Sequence, residues 1–369
     1  MTNFSAEDRQ AICDTFNRLL SERANEHALR KLIETDSGFD HNLWQEMAEL
    51  GLTGLMISSV YGGIGANIQE AEAVMEEAGK YLYNGPYLSS CVVAPALLQS
   101  WSDQSAAGYH LKGIVKGEAI FAIAGCGASG DWLKRPTVDA IQIDKGWVLT
   151  GSAHFVVHAL SATHCLVFAN QDNAKAVFLI DLASCPIPRE YQSTDDKTLR
   201  ISNIIFNSTP AIRLDGVGEK DIDNVLQLAL VALAGEQVGG MRAIFEMTIQ
   251  YLNTRFQFGE PIGSFQALKH MAADLLIDVE SAATVARTAA QSMALDSEDS
   301  RLLTYLAAFT CADNYRKVTA EAIQLHGGIA YTMEHSAHLY WRRAQTGLWL
   351  YSSSDRFRNL YLLEMEAKL

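Results

Sequence analysis

The sequence predicts an α+β multidomain protein with an N-terminal helical domain, a small middle β-barrel or sandwich, and a C-terminal four-helix bundle. Three observations support this prediction. Apolar residues recur with a helical period over residues 1–117, short β-rich runs replace them over residues 118–214, and the helical period returns over residues 215–369. With 369 residues, 49% of them hydrophobic, the chain is long enough for two or three such domains.

Composition and charge exclude several classes of partner. The formal net charge of −14 argues against a nucleic-acid binder, which needs a basic face. A basic leader and long uninterrupted apolar runs are both missing, so we expect a cytoplasmic protein with no membrane partner. The six cysteines lack CxxC or CxxH spacing, which favours reduced, mostly buried thiols over disulfides or a metal site.

The N-terminal domain begins with a helix start in which Ser5 is the cap and Asp8 lies three residues later. Apolar residues then follow one helical face from Ile12 to Leu20. The run Leu52–Gly65 is short and ends in three glycines, so we expect turns there. Further helices are expected at Asn42–Leu50, Glu70–Tyr83 and Val92–Gln99.

The middle domain is predicted from runs rich in β-branched and aromatic residues, split by turns such as Asp144–Gly146 and ending near Leu214. These runs are residues 119–124, 140–143, 147–150, 154–157, 164–169 and 176–180.

A long helix opens the C-terminal domain. Its apolar face consists of Val225, Leu228, Val231, Ala232, Val238, Met241 and Phe245. Small residues at Ala234, Gly235, Gly239 and Gly240 permit close approach of another helix. Further amphipathic helices are expected at Leu268–Met293 and Arg301–Leu325, which favours a bundle of about four antiparallel helices.

The stretch Arg255–Gln266 interrupts this helical pattern with a basic residue, amides and helix breakers. It predicts a corner that presents polar groups to an anion. The segment Gln324–Gly328 is its expected partner, since adjacent glycines let backbone N–H groups approach a ligand. The residues leave alternatives open: Arg255 as a surface ion pair, Phe258 as core packing, and the two glycines as a helix C-cap.

This order of domains, with Arg-x-x-Phe-Gly early in the bundle and Gln-x-x-Gly-Gly late in it, resembles the acyl-CoA dehydrogenase family. The resemblance covers nearly the whole chain. The similar segments are Trp44–Gly51, Tyr61–Gly65, Gly146–Gly151, Arg255–Gln266, Ala322–Gly328, Glu334–His335 and Arg342–Ala344.

The resemblance implies an acyl-CoA substrate, an electron-transfer flavoprotein as acceptor, and FAD bound across a subunit interface. In the family, the bundle corner of one subunit holds the ADP half of FAD and the β-domain of its neighbour holds the flavin. A guanidinium, amides and glycine backbone suit a pyrophosphate. The cofactor-binding residues implied for this chain are Arg255, Gln257, Phe258, Gln266, Gln324, Gly327 and Gly328.

The flavin half of the site differs from the family pattern. The run that usually supplies threonine and serine hydroxyls is Ala124–Asp131 here, so those two positions become Ala124 and Gly130, with Ser129 as an alternative one residue away. In the second flavin-facing segment, Phe155–His158, the usual threonine is replaced by Val157.

The base of the reaction is also missing from its usual positions. The family reaction needs a carboxylate near the substrate, and the two common positions are occupied by Tyr351 and Ala229. Glu236 could be a displaced base or an ion-paired residue, Glu246 is another nearby acid, and Asp355 is interpreted as a polar residue at a serine-capped helix start. We therefore assign no catalytic residue.

These differences predict a non-catalytic subunit. The segments Ser264–Gln266 and Gln324–Ile329 resemble the heteromeric α2β2 branch of the family, which implies a complex that acts in lipid or steroid degradation with a bulky acyl-CoA as substrate. Its catalytic partner would be a second acyl-CoA dehydrogenase subunit. The alternatives are a self-sufficient homotetramer with a displaced base and a flavin-free binding scaffold.

Overall fold

The computed structural model describes residues 4–368, which form two compact units. The first unit contains the residues up to Asp8, Arg30–Ala71 and Asn84–Ala229, and the second contains Arg9–Leu29, Glu72–Tyr83 and the chain from Leu230 onward. Along the sequence, a helical region, a β region and a second helical region follow one another as predicted. The domain boundaries after residues 117 and 214 stay a prediction.

The N-terminal helices begin where the sequence supplies caps. Ser5 Oγ accepts the Asp8 N–H at 3.1 Å, while an Asp8 carboxylate oxygen accepts the Ser5 N–H at 3.0 Å, so the predicted capping box is confirmed. The predicted turns at Leu52–Gly65 include the 3₁₀ turns Leu52–Gly54 and Ser59–Tyr61. The α-helices of this region are α1 (Ala6–Arg23), α2 (Glu26–Leu32), α3 (His41–Glu49), α4 (Ile68–Lys80), α5 (Ala94–Gln99) and α6 (Gln104–Val115).

The helix predicted at Val92–Gln99 begins earlier than expected, with a π-helical turn at Leu88–Val93 that runs into α5. Pro95 is in the first turn of α5. Because proline has no N–H to donate to the carbonyl of Cys91, the regular α-helical ladder is interrupted at this point, and the wider turn precedes it.

The strands of the middle region pair into a closed ring. Hydrogen bonding connects β4, β2, β3, β7 and β5 in that order, and β5 pairs back onto β4, while β1 and β6 attach at β4 and β7. Of the two predicted alternatives, a barrel and a sandwich, this closed ring corresponds to the barrel. Its strands are β1 (Phe121–Ala124), β2 (Val138–Ile143), β3 (Gly146–Val157), β4 (His164–Gln171), β5 (Ala174–Asp181), β6 (Arg189–Gln192) and β7 (Ile201–Arg213).

The C-terminal helices follow the predicted pattern closely. Six of the seven residues predicted on the apolar face of the first helix are buried, and Phe245 is half-buried. This helix is long and apolar enough to cross a membrane, but 78% of its most apolar window is buried, which is typical of a core helix. The elements are α7 (Glu219–Thr254), β8 (Phe256–Gln257), β9 (Glu260–Pro261), α8 (Gln266–Ala294), α9 (Ser300–His326), α10 (Ala337–Gly347) and α11 (Ser354–Glu366).

Candidate functional site

The corner between α7 and α8 is a short β-hairpin made by β8 and β9. Its two turn residues, Phe258 and Gly259, have φ angles of 56° and 89°. Positive φ at both positions is the requirement of a two-residue hairpin turn that matches strand twist. The Phe258 side chain is 93% exposed, so the alternative that it packs in the core is wrong. A bulky residue is thus held in a strained conformation at the tip of the corner.

Three polar side chains of this corner are exposed and have no hydrogen-bond partner in the described chain. Arg255, Gln257 and Gln266 all lie at the surface. Within residues 4–368 their side chains make no hydrogen bond or ion pair, so the surface ion pair considered for Arg255 is not formed. Donors that have no partner inside the chain can bind a ligand without first breaking an internal hydrogen bond.

The hairpin leads directly into the N-terminus of α8. The cap residue, Phe265, has an extended backbone and gives no side-chain cap, so no capping side chain satisfies the first N–H groups of this 29-residue helix at Gln266. Gly263 lets the chain pass close to the end of α7, because a Cβ at this position would lie 2.9 Å from the Leu252 carbonyl oxygen. An exposed helix N-terminus carries partial positive charge and favours anions.

The glycine pair follows the end of α9. Gly327 has a φ of 65° and its N–H donates to the Gln324 and Ile323 carbonyls, so a C-cap role for Gly327 is confirmed. A Cβ added at either Gly327 or Gly328 would meet nothing within 4 Å. The chain itself therefore does not fill the space in front of these two residues, and the Gln324 side chain is exposed beside them.

These two segments meet within the second unit. The Tyr251 ring in the last turns of α7 lies 4.7 Å from the His326 ring at the end of α9. Arg255 follows Tyr251 by one helical turn, and its N–H donates to the Tyr251 carbonyl at 2.9 Å. The structure thus places the arginine corner next to the glycine segment, as expected from the sequence.

The segment expected to hold the flavin is buried over its first four residues, Ala124–Gly127. Ala124 ends β1 and is 1% exposed. A Cβ on Gly125 would lie 2.4 Å from the indole of Trp132, so that ring packs against Gly125 within the first unit. The Trp132 carbonyl accepts a hydrogen bond from Lys175 Nζ at 3.0 Å. Within Ala124–Asp131 the one hydroxyl is that of the exposed Ser129, and the Thr137 hydroxyl beside Gly127 donates to the Ser152 carbonyl at 2.7 Å. These residues do not fit a flavin ring that needs two hydroxyl donors.

The second flavin-facing segment keeps an unusual backbone. The pairing of β3 with β7 shifts between Ala153 and Val156, and Phe155 within that bulge has a φ of 56°. The Phe155 side chain is 43% exposed, and the next positive φ, 58°, is at the buried His158. Strained backbone of this kind is typical of functional segments, although Val157 offers no hydroxyl.

The acids considered as candidate bases either form an ion pair or are exposed to solvent. Glu236 forms an ion pair with the buried Arg343, which confirms the ion-paired alternative for Glu236. Asp355 is 87% exposed and pairs with Arg358 at 2.7 Å, in a helix start capped by Ser353. Glu246 is exposed on α7.

The positions where the family carries its base are not acidic and differ in conformation. Ala229 is 1% exposed on α7, and Tyr351 has a φ of 70° just before α11. A tyrosine with positive φ is strained backbone at a position expected to be functional.

Sequence reasoning missed two residues that shape these segments. Trp132 was not considered, although an aromatic residue directly after a run of small ones is a signal for a ring that packs back on them. Arg343 was noted only as part of a motif, and its burial, at 3% exposure, identifies it as the partner of an acid.

Comparison with known proteins identifies similar chains along nearly the whole length. The family model described as acyl-CoA dehydrogenase, C-terminal domain, matches residues 218–354, and the N-terminal domain model of the same family matches residues 6–118. The acyl-CoA dehydrogenase IpdE2 of Mycobacterium tuberculosis is 31% identical over 343 residues, which cover 92% of this chain and 91% of that protein. The acyl-CoA dehydrogenase FadE27 of the same organism is 28% identical and covers 97% of this chain and 96% of its own.

Solved structures share the fold. A variant of the Tcur3481–Tcur3483 steroid ACAD aligns with a TM-score of 0.90 at 24% identity, covering 98% of both chains. The ChsE4–ChsE5 complex from Mycobacterium tuberculosis aligns with a TM-score of 0.89 at 24% identity, covering 99% of both chains.

Proposed function

Because this chain belongs to the acyl-CoA dehydrogenase family of flavoprotein oxidoreductases, we propose that it is the non-catalytic subunit of an FAD-dependent acyl-CoA dehydrogenase complex. It lends the ADP-binding half of a shared FAD site to a catalytic partner subunit. FAD, if bound, would supply the hydride acceptor for the α,β-desaturation of an acyl-CoA thioester, and the partner would supply the base that removes the α proton.

The observation that carries this proposal is a contrast between two sets of residues. At the corner, the side chains of Arg255 and the glutamines are exposed and have no partner within the described residues. In the flavin segment, Ala124 is buried and the Trp132 ring lies against Gly125. One set is available to bind a dinucleotide, and the other is packed against its own chain.

Each residue at the corner has a role that its chemistry supports. The Arg255 guanidinium neutralises pyrophosphate charge, and the amides of Gln257, Gln266 and Gln324 donate hydrogen bonds to the dinucleotide. Phe258 offers an exposed ring at the tip of the hairpin. Gly327 provides the turn, since its N–H is used within α9, and Gly328 leaves room for close approach of the ligand.

The substrate and the acceptor are the finer part of the proposal. The fold relative described as a steroid ACAD favours a bulky steroid side-chain acyl-CoA as substrate. An assembly with a second acyl-CoA dehydrogenase subunit is supported by the relative described as the ChsE4–ChsE5 complex. An electron-transfer flavoprotein is the proposed electron acceptor.

Arg255→Ala tests the proposal in the complex co-expressed with its catalytic partner. A charge-assisted hydrogen bond contributes about 1.5–3 kcal/mol, so we expect FAD affinity to fall roughly 10- to 100-fold. FAD content after gel filtration and a titration of the apo complex measure this change. Arg356→Ala is the matched control, because Arg356 is also an exposed arginine of the second unit and its side chain has no partner in the described chain.

Three outcomes would contradict the proposal. Unchanged FAD content in Arg255→Ala would show that this arginine does not bind the dinucleotide. A chain that purifies alone as a yellow protein and reduces its own FAD with an acyl-CoA would be a self-sufficient enzyme. A complex in which this chain adds no bound FAD would identify a binding scaffold.

A further inference from the structure

The loop Gly327–Glu334 begins and ends at histidines whose rings are in contact. His326 is the last residue of α9 and His335 lies just before α10. Their ring centroids are 4.5 Å apart with an interplanar angle of 57°. The ring of Tyr251 from α7 also packs on His326, with a centroid distance of 4.7 Å. We call the contact between His326 and His335 the neck of the loop. The aromatic rings at this neck hold together the two ends of the loop that carries both glycines.

Backbone partners fix which nitrogen of each ring carries a proton. His326 Nδ1 lies 2.8 Å from the Ala322 carbonyl oxygen, and because a carbonyl only accepts, Nδ1 is the protonated nitrogen. His335 Nδ1 accepts the Ala337 N–H at 3.2 Å, so the neutral His335 ring carries its proton on Nε2. The two Nε2 atoms are thus complementary: His326 has an acceptor and His335 has a donor.

The His326 acceptor is buried and unsatisfied. His326 is 3% exposed, and its Nε2 has no hydrogen-bond partner within the described residues. Burial lowers the pKa of His326, and His335 lowers it further, against an effect of the Ala322 carbonyl that raises it. The ring is therefore neutral at neutral pH, and a buried acceptor of this kind costs free energy unless a donor approaches it.

We propose that His326 is a positioning residue, which closes the neck of the loop together with His335 and so holds Gly327 and Gly328 in place for the dinucleotide. This inference rests on the proposed function, because it gives the loop a ligand. The ionisable groups around the neck are Tyr251 from α7, Arg255 directly after α7, Glu334 from the loop, His335, and His338, whose Nε2 lies 3.3 Å from the Met333 carbonyl oxygen.

The proposal predicts a pH dependence with a definite sign. A neutral histidine whose pKa is lowered in the folded state stabilises that state above its ordinary pKa of about 6.5, and this stabilisation is lost as the pH falls through the lowered value. Protonation of His326 removes the Nε2 acceptor and places a buried cation at the neck. The loop should open and FAD should leave faster on acidification.

The experiment uses the complete FAD-loaded complex with His326→Phe, His335→Phe and the double variant. Phenylalanine keeps an aromatic ring and removes both nitrogens. We expect FAD release, followed by flavin fluorescence between about pH 5 and 8, to be about 10-fold faster at about pH 7.5 in each single variant and to lose its acceleration below about pH 6.5. The double variant should release FAD no faster than either single variant. His270→Phe, an exposed histidine on α8, is the control.

Additive effects of the two substitutions, or a wild-type release profile in His326→Phe, would overturn the inference. If His326→Phe does not fold, His335→Phe alone carries the same test of release rate and pH profile. Amide exchange of residues 327–334 adds a readout without FAD, and it should be faster in both variants. Failure of the proposed function itself would instead appear as unchanged FAD content in Arg255→Ala.

Discussion

At the scale of single residues, some arginines of the second unit form ion pairs inside the chain, whereas Arg255 is available to bind a ligand. Arg242 Nε lies 2.9 Å from a Glu76 carboxylate oxygen, and its Nη1 lies 2.7 Å from one of Glu280. Arg343 is buried against Glu236 and also donates to backbone carbonyls at Leu82 and Tyr83. Arg255 differs, because its guanidinium is exposed and has no such partner among residues 4–368. A structural role explains the first two and leaves Arg255 available for a ligand.

Glu236→Ala tests the structural role of the buried pair. Removing one partner leaves the buried Arg343 charge without its carboxylate, so we expect the free energy of unfolding to fall by about 3–5 kcal/mol. Urea denaturation of the complex measures this loss. Glu246→Ala on the same helix is the control, since that exposed acid should change stability by less than about 0.5 kcal/mol. Full stability with lost activity in Glu236→Gln would instead identify Glu236 as the base.

At the scale of elements, the second unit depends on close backbone contact between α4 and α7. A Cβ on Gly239 would lie 1.8 Å from the Glu76 carbonyl oxygen, and one on Gly79 would lie 1.9 Å from that of Glu236. Both obstructing atoms belong to helix backbones, which cannot move aside like a flexible side chain. Gly239, one of the small residues noticed along α7 in the sequence, is thus required by this packing.

Two glycine substitutions separate packing from binding. Gly239→Ala should lower the free energy of unfolding by about 3 kcal/mol or more, because the added methyl overlaps a helix backbone. Gly328→Ala should leave stability within about 0.5 kcal/mol, because its Cβ meets nothing within 4 Å, yet it should weaken FAD binding. Thermal unfolding and FAD titration of both variants measure the two effects. Equal loss of stability in the two variants would contradict this assignment.

Sequence patterns predicted the elements that have a strong period and missed those that lack one. The face of α7 and the helices on either side of Arg255 were found because apolar residues repeat over many turns. Strand β7 was missed because Pro210 lies within it, and proline argues against a ladder strand. Helix α6 was missed because Gly108 and Gly113 weaken its helical signal.

The candidate site could be predicted in part for a similar reason. Arg255 and the glycines were recognised because they break a long regular pattern. The hairpin form of the corner, the ring of Trp132 over Gly125 and the contact of His326 with His335 depend on contacts between residues that no local period encodes. Such contacts are set by tertiary packing rather than by propensity.

At the scale of the whole molecule, this chain is asymmetric in its cofactor chemistry. It keeps the exposed arginine, amides and glycines that suit a pyrophosphate, and it lacks both the hydroxyl pair that suits a flavin and a carboxylate at the base positions. A protein built from copies of this chain alone would therefore pair each dinucleotide half-site with a flavin segment that lacks this hydroxyl pair and packs against Trp132. A partner that supplies the missing half resolves this mismatch.

The ratio of FAD to protein chains measures the consequence. In an α2β2 complex in which only the partner seats the flavin, each pair of different chains holds one FAD, so we expect one FAD per two chains. Absorbance of released flavin against the protein content determined by amino-acid analysis gives this ratio. One FAD per chain would refute the shared site, because it would require the segment around Gly125 to seat a flavin as well. Trp132→Gly is a second test of the same segment. This substitution removes the indole beside Gly125 but restores no hydroxyl. We expect the ratio of FAD to chains to stay the same, because space without hydrogen-bond donors does not bind an isoalloxazine ring.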